Sequence, residues 1–546
     1  MIIDTADFES GVQRDTDVCI IGAGVAGISL ARELTGRGLR ICIVENGGFR
    51  FRPRPQTLAF GANVGNPYFA LGVARIFRFG GTSNRWCSDL GDGSTGVRLR
   101  PLDPIDFERR EEIAHSGWPF DYDHLAPYYH RAQAHFHLDE RDYRWQSWSD
   151  LTAHTALPLD ESRVKSVIFQ FSETRQFIQR ARQFIEQSDD IEILPFVHAV
   201  ELEVGDTAQN VQRLNAVTLS GKALSISAQH FVLAGGGIEN PRFLLNCNRQ
   251  HSSGLGNQHD LVGRFFMEHP HLLSGTVIPS SPALFDQIGL YRTHPVDGSH
   301  IMGKLALNND VLRREALLNS CMFFEPRPTR DPRRPRKIYN THGAEAMLAI
   351  LGDITNLRWP RQVVTRSIQV CREMPKLAAF ALEKLDRRRH GGAPVAMGVY
   401  NFLEQVPNPD SRVSLTAEKD PFGQPRAKLD WKLTEQDIRS MLRSQVLLGE
   451  ELERLGLGHL IPDPYEEVSP DNIIGGYHHM GTTRMHSDPK QGVVDEHCAV
   501  HGVPNLHIAG SSVFPTSGYA NPTLTIAALA IRLADRLKGA FNRRVT

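Results

Sequence analysis

The hydrophobic pattern near the N-terminus changes period twice. In TDVCIIGAGVAGISLARELTGRGLRICIVENGG, Val18 to Ile21 form a short unbroken apolar run suited to a strand buried on both faces. A glycine turn follows, then a helical stretch, then a second apolar run ending at Glu45. Similar passages recur downstream. QHFVLAGGGIENPRFLL (229–245) leads an apolar strand into three glycines and a helix start, and NLHIAGSSVFPTSGYANPTLTIAALAIRLADRL (505–537) reads as strand, Gly-Ser turn and C-terminal helix. LPFVHAVELEV, QRLNAVTLSG and ALSISAQHFVLAG predict successive strands, the last feeding the turn at Gly235, and VAMGVYNFLEQ is a further apolar run of strand type. The Pro- and Arg-rich stretch 327–337 predicts an exposed loop, and the basic, helix-like stretch 358–390 a solvated surface. No internal repeat is present.

The first of these passages carries chemistry. Gly22, Gly24 and Gly27 supply a GxGxxG where the helix begins. The first glycine permits a tight turn, the second lets backbone approach a pyrophosphate, and the third allows close helix–strand packing. The helix start offers unpaired N–H groups and a partial positive charge to phosphates. About twenty residues on, Glu45 ends the next strand in position to bind a ribose hydroxyl. The pattern predicts dinucleotide binding and does not choose between FAD and NAD.

Composition narrows the classes. A chain of 546 residues exceeds the usual size of one core, so two large domains are expected. Its formal net charge of −1 provides no global field for nucleic acid or an anionic membrane. The seven cysteines are scattered without a CxxC, which argues against a disulfide framework, a zinc site or an iron–sulfur cluster. The acidic N-terminus lacks the basic head and apolar run of a signal peptide, and no stretch reaches the roughly 18 apolar residues of a membrane span. A cytoplasmic protein with no membrane span is expected.

FGGTSNRWCSDL (79–90) and GGYHHMGTTRM (475–485) add a Gly-Gly loop and a histidine pair. A site assembled from both ends of one chain suits a large, permanently held cofactor better than an exchangeable nicotinamide. With SGWPFDYDHLAPYYHRA (116–132), LVGRFFMEHP (261–270) and EQVPNPDSRVSL (404–415), these segments resemble the glucose–methanol–choline (GMC) oxidoreductases, near the branch of pyranose oxidases and bacterial glucoside or polyol dehydrogenases. The resemblance implies an α/β fold: a Rossmann-like FAD-binding domain interleaved with an α+β substrate domain containing an antiparallel sheet. The expected FAD-domain segments are 1–65, 190–270 and 465–546, with 66–189 wrapping and covering the flavin and 271–464 binding substrate.

On that mapping Gly22, Gly24, Gly27 and Glu45 hold the ADP half of FAD. Val197, Ala234 and Gly235 line the adenine, and Gly80, Gly81, Thr82, Ser83 and Asn84 follow the pyrophosphate and flavin edge. Gly510 and Ser511 reach the ribityl phosphate region, while Pro522 and Thr523 present a helix start to the flavin's pyrimidine end. Arg85 stands where pyranose oxidases carry the histidine that bonds covalently to flavin, so non-covalent FAD is expected. Cys87 is an alternative attachment point, with a small buried side chain as its plainer reading.

Oxidising an alcohol on a flavin requires a base for the hydroxyl proton and delivery of the carbinol hydride to flavin N5. Histidine titrates near 6.5 and suits the first task. The family's motif places the base on His478, and adjacent residues of an extended segment face opposite ways, so His479 is expected to be structural. Asn521 is the expected partner holding the substrate oxygen, although Asn521–Pro522 is also a helix-start signature. Glu404 and Gln405, at the end of their apolar run, are weaker candidates for substrate contact. His269 to His271 read HPH but lack a third ligand in spacing, so no metal is expected. The expected substrate is a small alcohol, sugar, glycoside, aminoglycoside-like compound or polyol; the electron acceptor is open between O2 and a redox partner. A GMC-fold lyase with a non-redox flavin, an NAD-dependent dehydrogenase and a cofactor-retaining scaffold are the alternatives.

Overall fold

The computed structural model describes residues 1–205, 209–327, 394–462 and 473–545, together with Ser367, Cys371, Val468 and Pro470. Residues 328–337 of the expected Pro/Arg loop, and all but Ser367 and Cys371 of the basic 358–390 stretch, lie outside the described residues.

An eight-stranded sheet carries the nucleotide-type elements. Strand Val12–Ile21 lies at its centre, parallel to Ala223–Leu233 on one side and Ile41–Glu45 on the other; Val503–Ile508 and Ile191–Pro195 extend the sheet in the same sense. The burial of Val12–Ile21 follows its sequence. Its first half alternates, whereas Val18, Cys19 and Ile20 are fully enclosed, as a central parallel strand requires. Helices Val25–Leu34 and Thr523–Val545 pack against one another beside this sheet. The expected strands around 197–233 form as Val197–Val204, Val211–Thr218 and Ala223–Leu233, paired antiparallel.

A nine-stranded sheet forms the second layer. Its main path runs through Gly458–Ile461, His271–Pro279, Ala396–Leu403, Ser320–Arg327, Ser299–Leu307, Val164–Glu173, Thr95–Leu99 and Ser88–Asp89, each antiparallel to the next. One face, with Ile168, Leu305, Met322 and Val399, buries its apolar side chains with Leu447, Leu448 and Leu452 of helix Glu435–Arg454. The opposite face gathers Phe169, Phe323, Tyr400 and Phe402 with Tyr519. Period-two alternation thus splits these strands into an aliphatic face and an aromatic one.

Residues 66–189, expected as wrapping helices and loops, supply three of these strands. The run VKSVIFQFSE is rich in β-branched and aromatic residues, which pair readily on a half-buried sheet. A small third sheet joins Gly61–Asn63 to Pro425–Asp430 and Arg412–Lys419. The architecture is a Rossmann-like α/β unit interleaved in sequence with an α+β unit built on an antiparallel sheet. Among the described residues no helix is long and apolar enough to cross a membrane.

Candidate active site

A cavity of about 710 Å³ runs from the carboxyl ends of the central parallel strands toward the aromatic face of the second sheet. Gly22, Gly24, Glu45, Gly80, Gly81, Thr82, Ser83, Ala234, Gly235, Gly510, Ser511, Pro522 and Thr523 all line it, as do His478 and Asn521. Elements far apart in sequence therefore converge on one elongated space.

The three glycines of the turn have separable tasks. A Cβ on Gly22, where φ is +115°, would lie 2.6 Å from the carbonyl oxygen of Ala234, and one on Gly27 would lie 2.1 Å from that of Gly22. Both positions are needed for close backbone packing. A Cβ on Gly24 would meet nothing within 4 Å, because that position faces the cavity. Gly24 and the loop residue Gly80 bridge each other, so the two glycine segments form one wall. The Glu45 carboxylate accepts from the N–H groups of Ala23 and Gly47, each at 2.9 Å, and burial raises its pKa. Asn84 does not line the cavity; its amide donates to the carbonyls of Phe79 and Gly81 and holds the loop's shape. Val197 is fully buried behind the wall, where His198 and Ala199 are exposed to the cavity instead.

At the far end, Tyr477 has φ of +63°, a left-handed conformation that is uncommon for a non-glycine residue. Stacking on Phe69, with ring centroids 4.1 Å apart, supports it. The twist sends the following two histidines to different tasks. His479 points toward Tyr68, with Nε2 at 2.9 Å from the phenol oxygen, and burial lowers its pKa to about 3. His478 faces the cavity. Its backbone N–H donates to both carboxylate oxygens of Glu268 at 3.0 Å. Glu268 also accepts from the N–H groups of Gly476 and His269 and from the Tyr68 hydroxyl. Burial pushes this carboxyl up to about 7, against the pull of those hydrogen bonds.

The imidazole of His478 sits in a relay whose proton positions follow from its ends. The Nε2 of His269 lies 3.2 Å from the carbonyl oxygen of Ser517, an acceptor, so that nitrogen carries the proton. Burial lowers the His269 pKa to about 4, so its ring is neutral and its Nδ1 is an acceptor. That atom lies 2.9 Å from Nδ1 of His478, which must therefore donate. Nε2 of His478 is unprotonated and accepts from the amide nitrogen of Asn521 at 3.1 Å. Burial, then the repulsion that a protonated His269 would exert and the charge of Arg98, holds His478 well below the usual histidine range. The result is a neutral imidazole with its basic nitrogen turned into the cavity beside an amide donor.

Glu404 and Gln405 have a different task from the expected substrate contact. Both are fully buried and lie outside the cavity lining. Glu404 pairs with Arg110 at 2.5 Å and accepts from the N–H of Asn319. The side-chain oxygen of Gln405 accepts from the N–H of Glu268 and the indole of Trp431. The strand end they occupy is enclosed by neighbouring elements, which consume their hydrogen-bonding capacity. Conversely, Glu268, His269 and His271 are functional neighbours that sequence reasoning missed. HPH has no third ligand in spacing, whereas His269 and His271 both flank His478, with ring centroids 4.8 and 6.1 Å from it.

Comparison with known proteins agrees with this geometry. The profile of the GMC oxidoreductase family matches residues 407–530, and that of the FAD dependent oxidoreductases matches residues 17–53. The chain is 23% identical to 2-methyl-1,2-propanediol dehydrogenase of Mycolicibacterium austroafricanum, over 96% of each chain. It is 24% identical to paromamine 6'-oxidase of Streptomyces fradiae, over 98% of this chain and 93% of that one. A match to the large subunit of fructose dehydrogenase from Gluconobacter japonicus, 26% identical, spans 57% of this chain and 47% of the relative. The crystal structure of formate oxidase superposes with a TM-score of 0.55 at 17% identity, covering 98% of this chain and all of that one, and so shares the fold. A glycine-lined cavity at the parallel strand ends, an antiparallel second layer and the two matching profiles point the same way: the chain is similar to the GMC oxidoreductases in its C-terminal profile and shares their fold.

Proposed function

We propose that this protein is an FAD-dependent enzyme that oxidises a CH–OH group of a sugar, glycoside or polyol, with His478 as the base. The observation that carries the reading is the His269–His478–Asn521 relay, which leaves Nε2 of His478 unprotonated at the cavity wall and hydrogen-bonded to the Asn521 amide. The relatives named for alcohol, sugar and aminoglycoside oxidation support the substrate class.

The residues present fit FAD. Gly24 and Gly510 leave open backbone where the diphosphate would pass, and a Cβ on Gly510 would approach nothing closer than 3.8 Å. Glu45 is placed for a ribose, Ala234 and Gly235 for the adenine end, and Gly80 to Ser83 for the flavin edge. The start of helix Thr523–Val545 borders the cavity, and its free N–H groups favour negative charge there. Bound FAD supplies the two-electron acceptor for the carbinol hydrogen. Arg85 replaces a linking histidine, so the cofactor is held without a covalent bond. Flavin should leave the protein on denaturation and filtration, and retention on the chain would overturn that point.

The protein's own part in the reaction is proton handling. A substrate hydroxyl entering between His478 and Asn521 donates to Nε2 of the histidine and accepts from the asparagine amide. As the carbinol is oxidised, Nε2 takes the hydroxyl proton, and the imidazolium stays oriented because Nδ1–H is held by His269. A base of this kind contributes about 10²–10⁴-fold. His478→Ala should retain FAD and lose anaerobic bleaching by substrate by at least about 100-fold; bleaching at the native rate would refute the role.

A further inference from the structure

The aromatic face of the second sheet carries two basic side chains with no carboxylate partner among the described residues. Lys304, on strand Ser299–Leu307, is 1% exposed, with its ammonium 3.8 Å from the ring centroid of Phe402. Arg98, on strand Thr95–Leu99, places its guanidinium 4.8 Å from the centroid of the same ring. Among the described residues neither forms an ion pair with a carboxylate, and the buried Nε of Arg98 has no hydrogen-bond partner. The contrast with nearby Arg100 is direct, since Arg100 is paired with Asp103 at 2.7 Å. Ions removed from water carry a penalty of several kcal/mol unless paired, and ring contacts offset only part of it. Burial, then the charge of Arg98, holds the Lys304 ammonium well below its usual range, so Arg98, which does not deprotonate in proteins, keeps the site positive.

This cationic face belongs to the reaction space. Arg98, His271, Tyr400, His478 and Asn521 line the same cavity. His271 lies with its ring centroid 4.0 Å from that of Phe402 and 6.1 Å from that of His478, so two rings in series connect the guanidinium to the base. His271 is itself 8% exposed, and its Nε2 has no hydrogen-bond partner. An unpaired guanidinium and an unpartnered imidazole nitrogen therefore sit beside the base, on the substrate sheet and away from the glycine-lined end.

We propose that this cluster is a subsite for an anionic group on the substrate, with the Arg98 guanidinium binding a carboxylate of a polyhydroxylated acid such as a uronic acid. The proposal rests on His478 being the base, and it narrows the substrate class of that same site. Guanidinium geometry matches a carboxylate through two parallel N–H···O bonds. His271 adds a hydrogen bond from the side facing the base. A bound anion also offsets the positive field of Arg98, which acts against protonation of His478. It would thereby strengthen the base only when the right substrate is present.

The test uses the FAD-loaded enzyme and three pairs: glucose with glucuronate, galactose with galacturonate, and mannose with mannuronate. Anaerobic flavin bleaching should half-saturate at roughly 10- to 100-fold lower concentration for the acid than for its parent in at least one pair, the scale of a charge-assisted hydrogen-bonded contact. Arg98→Gln should lower that acid-to-parent preference by a similar factor, with Arg98→Lys retaining part of it, both judged on protein of native FAD content. Calorimetric titration with tetrahydropyran-2-carboxylate, a ring acid with no hydroxyl to oxidise, should show binding that Arg98→Gln weakens at least about tenfold. Three results overturn the proposal: neutral parents preferred or equal in all pairs, a preference unmoved by Arg98→Gln, or an Arg98 effect confined to flavin reoxidation. If no sugar of either kind bleaches the flavin while the ring acid still binds through Arg98, the redox reading fails and the anion subsite stands.

Discussion

Replacing His269 tests the relay most directly, because this residue touches neither substrate nor cofactor in the proposed arrangement and acts through His478. In His269→Ala the Nδ1–H of His478 loses its acceptor at 2.9 Å in a partly buried setting. A buried donor left unpaired costs about 1–3 kcal/mol. That cost favours moving the proton to Nε2, which removes the lone pair from the cavity and blocks the base. The rate of anaerobic flavin reduction should fall by roughly 5- to 150-fold, the kinetic equivalent of that energy. His269→Asn places an amide oxygen near the position of the lost Nδ1 and should recover most of the rate. The pH profile separates positioning from simple loss of structure. His269, neutral above about 4, accepts from Nδ1–H and so favours the imidazolium of His478, and its removal lowers the proton affinity of His478. The acid limb of the pH–rate profile should therefore shift to lower pH in His269→Ala. Stopped-flow reduction from pH 5 to 9, with FAD content checked for each variant, reads both effects. An alanine variant as fast as the asparagine variant, with its acid limb unmoved, would refute the relay.

Three further expectations follow from the same structure. Gly24→Ala should leave melting nearly unchanged in FAD-free protein but lower FAD affinity, since its Cβ enters open cavity. Gly27→Ala should unfold at lower temperature with or without cofactor, since its Cβ lies 2.1 Å from a backbone oxygen; equal melting of the two variants would contradict the assignment. Stability should rise with pH between about 4 and 6.5, because buried His269, His479 and His507 titrate at about 4, 3 and 3 in the fold but near 6.5 when unfolded. Glu268, raised by burial to about 7, opposes that slope with a shift as large as that of His269, and Asp437, raised to about 6, with a smaller one, so His479 and His507 carry the net rise. Denaturant unfolding at pH 7.5 and 5 measures the slope, and equal stability at the two would refute it. Arg110→Met should destabilise the fold by about 3–5 kcal/mol by stranding the Glu404 charge, without changing the order of preference among substrates; a reordered preference would return Glu404 to the substrate site.

What the chain discloses before folding is governed by how local the physics is. The GxGxxG turn, Glu45 and the Asn521–Pro522 helix start are legible because each follows from backbone sterics or capping within a few residues. The pair at 478 and 479 could be divided because adjacent side chains diverge, and the left-handed Tyr477 enforces the divergence. The surroundings of His478 are of another kind. Glu268, His269 and His271 come from over 200 positions earlier, and no periodicity encodes that a buried carboxylate will collect N–H groups from both segments. Tested only against metal spacing, HPH looked empty. Arg98 and Lys304 lie in strands whose alternation identifies a face but not what the face will meet; antiparallel pairing across the second sheet brings both side chains to Phe402. Glu404 misled in the opposite direction, because polar residues after an apolar run usually reach solvent, and here Arg110, almost 300 positions away, closes over them. Local sequence therefore announces where a dinucleotide can lie. On the proposed anion subsite, the choice of substrate would rest on charges brought together by sheet pairing, and so Arg98, which no motif marks, is the residue whose replacement should change what the enzyme accepts.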